Sequence, residues 1–299
     1  MAFEIKKQRY NSKIKLYFSS KPNKQLQEDI ITFLSSDYNL PPDGFELIKK
    51  SQRRGRIIFR YNSGIEVYYI KILLSNKFRK KIENLISPEG LRYFKISKKL
   101  LAARVPIVQP MLAMTFHKSL LRVDGVFVTK EFKGISMRDY FKQNSLADFD
   151  RELGLDIIKC LARIWANIVN NDFLHQDPTP SNFMINIAQQ GFKLSLVDVD
   201  DIYPLPFLPH KLVLHSLARF SRKFFSSLIR TKNEEFIGQQ ERYIFFKEFL
   251  AHYKRDIDFK KFVRDVNQLT IKKLVKRDYE DYILQSDIMK DIYSRSKHK

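Results

Sequence analysis

Cysteine is nearly absent from this chain: Cys160 stands alone among 299 residues. A single cysteine inside an apolar helical pattern excludes an internal disulfide and a cysteine-based metal site, and a reducing cytoplasm fits it best. Glycine is also scarce, at 9 residues, and no G-x-G-x-x-G spacing occurs. Long apolar runs are missing too. The stretch from Val105 to Phe116 stops well short of a membrane span, and the opening MAFEIKKQRY lacks the apolar centre of a secretory signal. Acid is in deficit, with 33 Asp and Glu against 54 Lys and Arg, a formal net charge of +21. Such a field draws polyanions: nucleic acid, anionic lipid headgroups or phosphorylated glycans. What the chain does have is 25 Phe and 14 Tyr, which excludes the aromatic-poor profile of disorder, and enough length to bury a core without staples.

The order of patterns gives the organisation. Residues 1–43 mix helix signals, KQLQEDIITFLSS among them, and end at the breaker Pro41-Pro42-Asp43-Gly44. Beyond it FELIKKS, RIIFRY and IEVYYIKIL read as successive antiparallel strands, parted by QRRG and by the hairpin chemistry of Asn62-Ser63-Gly64. A helix is expected from Ser87-Pro88-Glu89 to Ala103, with proline near its first turn and Val105-Pro106 as its stop. VQPMLAMTF and GVFVTKEF read as further strands, and Gly134 then opens a polar connection. From Asp148 to Asn171 the apolar positions Ile157, Leu161, Ile164, Trp165 and Ile168 recur at helical spacing. The remainder beyond Pro209 reads as helical and basic. Strands first and helices after predict an α+β protein in two lobes, with the cleft between them as the place for a site. The expected divisions are an N-terminal extension over 1–43, a β-rich lobe over 44–133 and a mainly helical lobe over 134–299.

The segment FLHQDPTPSNFMI, residues 173–185, follows the clearest helix and places His175, Asp177 and Asn182 beside prolines with no glycine. FMINI and KLSLV flank AQQG and read as a hairpin, which brings Asn182, before its first strand, beside Asp198, after its second. Two oxygen ligands so placed, with Asp200 and Asp201 close by, suit Mg²⁺, a hard ion that keeps waters and completes its shell with phosphate oxygens. Asp177 lies at the same sheet edge and is placed to take a proton from an attacking hydroxyl. Pro178 and Pro180 restrict the loop that carries it. The predicted chemistry is phosphoryl transfer, with His175 propping the loop by hydrogen bonding rather than reacting.

HQDPTPSN followed by LVDVD resembles the catalytic loop and metal-binding aspartate of the protein-kinase-like fold. Within that superfamily it most resembles the bacterial lipopolysaccharide core kinases, which phosphorylate Kdo or heptose. KKLLAARVPIVQPMLA is similar to their passage from helix to strand, and the resemblance covers about residues 45–225. It implies a small β-rich N-lobe, a mainly helical C-lobe, and ATP and Mg²⁺ as cofactors. It also implies Asp177 as the catalytic base, with Asn182 and Asp198 as metal ligands on the nucleotide. Lys71 corresponds to the third-strand lysine that holds the α- and β-phosphates, and alternation along Ile65, Val67, Tyr69 and Lys71 supports it. Glu89 is the expected carboxylate partner of Lys71, although the family position falls one turn later, nearer Tyr93. The implied acceptor is a lipid-linked core glycan, reached by peripheral contact with anionic membrane on the inner face of the cell inner membrane; nucleic acid is not an expected partner.

This chain departs from the family pattern in several places. The first turn offers only Gln52-Arg53-Arg54-Gly55-Arg56, so phosphate contact falls to backbone and arginine. Gln176 and Thr179 stand where protein kinases carry arginine and lysine, which argues against a regulated protein kinase. Tyr69 is bulky at a usually small position near adenine.

Plainer readings stand beside these. Asp177, Asn182 and Asp198 are residue types that favour turns, Lys71 can snorkel from a strand edge, and Glu89 suits the positive end of any helix. The stretch HKLVLHSLARFSRKFFSSLIR (210–230) carries an apolar stripe of Val213, Leu217, Phe220, Phe224 and Leu228 with Lys211, Arg219, Arg222, Lys223 and Arg230 around it. It reads as a helix touching anionic membrane or, more simply, as one packing its stripe inward under a basic face. Two other functions compete: a small-molecule kinase of the aminoglycoside or choline type, and a basic adaptor on a degenerate kinase fold that binds nucleic acid or membrane. The missing glycine-rich loop and Tyr69 favour the adaptor, whereas the intact Asp177, Asn182 and Asp198 set favours an enzyme.

Overall fold

Alternating burial along short strands builds the first part of the molecule, and apolar stripes on helices build the second. The computed structural model describes residues 4–20, 23–36, 38, 41, 43–143, 150–189, 191–231, 239–277, 283 and 290. They fall into two units, residues 1–102 with 107–132, and residues 103–106 with 133–299.

Unit 1 holds strands β1 (Lys6–Arg9), β2 (Ile14–Phe18), β3 (Phe45–Ser51), β4 (Arg56–Asn62), β5 (Val67–Leu73), β6 (Pro110–Ser119) and β7 (Arg122–Lys130), with helices α1 (Lys24–Ser35), α2 (Phe78–Ile86) and α3 (Glu89–Ala102). The strands form one antiparallel sheet in the order β1-β2-β6-β7-β5-β4-β3. The N-terminal extension is thus built into the sheet, because β2 pairs with β6 from Ile14↔Phe116 to Tyr17↔Ala113. Its pattern explains why: Ile14, Leu16 and Phe18 alternate onto one face and pack against Leu26, Ile30 and Phe33 of α1 and Ile70, Ile72, Val126 and Val128 of the central strands. Asn23 caps α1 by accepting from the Leu26 N–H. On the opposite face α3 lays Tyr93 against Phe127. Both edge strands are charged and exposed, with Lys6, Lys7 and Arg9 on β1 and Glu46, Lys49 and Lys50 on β3, which blunts edge-to-edge pairing.

Unit 2 runs β8 (Ile135–Ser136), α4 (Met137–Gln143), α5 (Arg151–Asn170), β9 (Phe173–His175), β10 (Phe183–Ala188), β11 (Gly191–Leu196), β12 (Ile202–Pro204), α6 (His210–Thr231), α7 (Gln239–His252) and α8 (Phe259–Val275). The expected helix start at Asp148 lies outside the described residues; Asp150 is the N-cap of α5 and accepts from the N–H groups of Glu152 and Leu153. The α5 stripe buries Ile157, Leu161, Ile164, Trp165 and Ile168. The α6 stripe of Val213, Leu217, Phe220, Phe224 and Leu228 is buried as well, so this helix packs that stripe inward. Between α4, α5, α6 and α7 lies an apolar cavity of about 70 Å³, bordered by Tyr140, Ile157, Phe224 and Phe245 and by none of Asp177, Asn182 or Asp198.

Candidate active site

In unit 2 the loop is clamped before it reaches Asp177. His175 ends β9 opposite Ile202 of β12, its carbonyl accepts from the Ser216 hydroxyl at 3.1 Å, and the Gln176 N–H donates to the Asp201 carbonyl at 2.8 Å. The His175 ring is fully buried and stacks on Trp165, centroids 5.6 Å apart and planes at 14°. Burial pushes its pKa down to about 4, against the nearby Asp198 and Asp177 carboxylates, which raise it. The Asp201 backbone also favours the proton, yet neither ring nitrogen reaches hydrogen-bond geometry with a protein partner. His175 therefore holds the loop by stacking and by the hydrogen bonds of its backbone, the propping role expected from sequence.

Asp177 follows on the exposed side, its side chain 46% accessible, with Oδ1 2.7 Å from Nζ of Lys223 on α6. A 3₁₀ turn, Pro180–Asn182, closes the loop, the Asn182 N–H donating to the Thr179 carbonyl at 2.9 Å. The Asn182 amide nitrogen donates to the Asp177 carbonyl at 3.3 Å, which leaves the amide oxygen as the atom for a cation. The hairpin then returns the chain, but its register pairs Phe183 with Leu196, and the Val197 N–H donates to the Asn182 carbonyl at 2.9 Å. Asp198 is the next residue, one step beyond direct opposition to Asn182. The strands run closer to the turn than FMINI and KLSLV suggest, and that shifts the pairing. Asp198 Oδ1 accepts from the Asp200 N–H at 3.0 Å, which fixes its carboxylate. An amide oxygen and a carboxylate on neighbouring register positions are hard donors in small number, and that chemistry fits Mg²⁺ with water and phosphate completing the shell. No group of three or more His, Cys, Asp or Glu residues among the described residues forms a protein-only metal cage.

Unit 1 surrounds Glu89 with several cations. Glu89 opens α3, is buried, and pairs with Arg56 Nη2 at 3.1 Å and Lys80 Nζ at 3.1 Å, with Arg92 Nη2 at 4.0 Å. The Tyr93 hydroxyl donates to it as well. The Lys71 ammonium lies over the Tyr93 ring, 5.7 Å from the centroid. Tyr93, one helical turn beyond Glu89, thus receives Lys71 on its face and donates its hydroxyl to Glu89, whose carboxylate also meets Arg56 and Lys80. Burial pushes the Glu89 carboxyl up, but the Tyr93 hydrogen bond and the charges of Lys80 and Arg56 outweigh it and hold the pKa below the usual carboxylate range. The turn before Arg56 is pinned too. Gly55 has φ +62°, its carbonyl takes the Leu74 N–H at 2.7 Å, and a Cβ there would stand 2.6 Å from the Leu74 carbonyl.

No family model matches the chain, and no curated protein matches it in sequence. Solved structures do. WaaP in complex with acyl carrier protein superposes with a TM-score of 0.63 at 13% identity, over 89% of this chain and 98% of that one. The chain has the protein-kinase-like fold. Forms of the Mycobacterium tuberculosis PknI kinase domain lie further off, at TM-scores of 0.45 and 0.43 with 13% and 15% identity, covering 76% of this chain and 96% of theirs. The kinase-like likeness spans more of the chain than the 45–225 stretch legible in sequence. Within this fold, Lys223, Tyr93 and Arg56 are the contacts that sequence reasoning did not assign. Sequence shows Arg56 and Lys223 only as basic residues, since nothing local indicates which carboxylate each meets.

Proposed function

We propose that the protein is an ATP- and Mg²⁺-dependent kinase that phosphorylates a sugar hydroxyl, Kdo or heptose, of a lipid-linked lipopolysaccharide inner core. One observation carries the reading. A clamped loop presents Asp177 and Asn182, and the hairpin that follows returns Asp198 one register step away. In this reading Asp177 takes the proton from the acceptor hydroxyl as that oxygen attacks the terminal phosphorus of ATP, and ADP leaves. Lys223 orients the Asp177 carboxylate. The Asn182 amide oxygen and Asp198 would hold Mg²⁺, which when bound offsets charge on the phosphates. Lys71 is assigned to the α- and β-phosphates.

The acceptor class is argued from charge. Helix α6 contains no carboxylate, and its cations include Lys223 at Asp177 and Arg219, whose guanidinium is 3.5 Å from the Gln176 carbonyl. A phosphorylated or carboxylated sugar is drawn to such a surface, whereas an aminoglycoside or choline is repelled. No described helix is long and apolar enough to cross a membrane, so access to a lipid-linked acceptor is proposed to be peripheral, at the cytoplasmic face. Incubation with ATP, Mg²⁺ and core oligosaccharide, read by mass spectrometry, should show phosphate on the core sugar. Transfer to aminoglycoside or choline alone would move the protein to small-molecule kinases; polyanion binding with no turnover and no stabilisation by ATP would make it an adaptor.

A further inference from the structure

Helix α2 is built inside out. Phe78, Ile82, Leu85 and Ile86 recur at i, i+4, i+7 and i+8, the spacing of a core stripe. Yet Phe78 is 76% exposed, Ile82 46%, Leu85 42% and Ile86 84%. The residue this helix buries is Asn84, whose amide donates to the Ser75 hydroxyl at 2.6 Å and the Val123 carbonyl at 3.3 Å, while its oxygen accepts from the Glu89 N–H at 3.0 Å. Lys80 also points inward, to Glu89 and to the Arg54 carbonyl. The polar face is thus satisfied against the sheet, and the apolar face is turned to solvent by construction.

A second element presents the same chemistry at the same end of unit 1. The tight turn joining β6 to β7 is Leu120-Leu121, with Ser119 paired to Arg122 across it. Such turns ordinarily carry Asn, Asp or Gly. Here Leu120 is 91% and Leu121 60% exposed. Val123, which holds Asn84 of α2, lies two residues from this tip. On α2 itself and just before it stand Lys81 and Lys77, and Lys118 and Arg122 flank the turn, Arg122 paired with Asp124 and Lys118 over the Tyr38 ring.

We propose that the outer face of α2, together with the Leu120-Leu121 turn, is a membrane-docking surface that enters the headgroup region of an anionic bilayer. Apolar side chains rimmed by lysine and arginine match the two layers of such a surface, acyl boundary and anionic headgroups. Contiguous exposed apolar groups of this kind mark an interaction site rather than scattered surface residues. The stretch 210–230, which sequence read either as touching membrane or, more simply, as packing inward, has its stripe buried, and α2 presents the exposed one. The inference rests on the membrane part of the reading above and not on its chemistry, and vesicle binding without nucleotide tests it separately.

The experiment uses the full chain with vesicles of phosphatidylglycerol and phosphatidylethanolamine, and neutral phosphatidylcholine vesicles for comparison. Wild type should bind the anionic vesicles and retain part of that binding in about 0.5 M salt, where charge attraction is screened. Phe78→Ser with Ile86→Ser and Leu120→Ser should weaken partition about a hundredfold and abolish the salt-resistant part. These side chains are exposed, and thermal melting checks that the triple variant folds. Phe78→Trp gives a positive signal: blue-shifted emission quenched by brominated acyl chains. Unchanged vesicle binding in the triple variant, or Phe78→Trp emission indifferent to brominated lipid, overturns the proposal. A wild-type dimer that the triple variant converts to monomer, with vesicle binding intact, also overturns it and makes the surface a contact between copies.

Discussion

Asp177 is held at two atoms: its carboxylate by Lys223 and its carbonyl by the Asn182 amide. Asp177→Asn keeps the size and the backbone contact but removes the proton acceptor. Turnover should fall by about a hundredfold or more, while ATP with Mg²⁺ still raises the melting temperature; retained turnover would remove Asp177 from the role of base. Glu89 gives a stability prediction instead. Glu89→Gln leaves Arg56 and Lys80 without their carboxylate and should cost about 2 kcal/mol at neutral pH. Because the folded pKa of Glu89 lies below its ordinary value, its contribution is present above the unfolded pKa and is lost as pH falls through the folded one. Chemical denaturation of wild type should therefore weaken in the acid range below about pH 4, and the Glu89→Gln profile should be flatter there. The placement of Asp177, Asn182 and Asp198 on one loop and hairpin was legible because both are local in sequence, whereas the one-step shift of Asp198 depends on strand lengths that sequence left open. Tyr93 was not legible as the ring beneath Lys71, because helix phase, not sequence proximity, decides which side chain of α3 meets that strand.

Helix α3 sits against β7 at a distance only glycine permits. A Cβ on Gly90 would stand 2.5 Å from the Val126 carbonyl, and one on Gly125 would stand 2.9 Å from the Gly90 nitrogen. Both obstacles are backbone and cannot rotate away. Gly90→Ala should therefore destabilise unit 1 by about 2 kcal/mol, the scale of forced overpacking, despite alanine's better helix propensity, and the denaturant midpoint should shift accordingly. If the variant is as stable as wild type, the close approach is not as tight as described. At this scale the strands β3, β4 and β5, the helices α3 and α5 and the hairpin β10–β11 followed from period and turn chemistry. Helix α2 did not, because no local rule distinguishes an apolar stripe turned outward from one turned inward. The strand β2 was equally hidden, since IKLYF acquires its partner only from β6.

The charge of +21 belongs to the whole molecule. It should show in kinetics as a difference between substrates: the acceptor KM should rise steeply as salt increases past physiological strength, where the Debye length drops below about 8 Å, and the ATP KM should rise far less, its phosphates being held by short contacts and metal. Equal salt dependence for both would show that the net charge does not act on the acceptor. The pairing of β2 with β6 has a different consequence, during synthesis. Residues 14–17 find their partners at 113–116, so about a hundred residues must leave the ribosome before the N-terminal hairpin can dock. At roughly 5–20 residues per second that wait is on the order of 5–20 s, during which Ile14, Leu16 and Phe18 have no sheet to cover them. The nascent β2 segment should therefore associate with a chaperone that holds short apolar segments, and slowing elongation should lengthen that association without altering the finished protein.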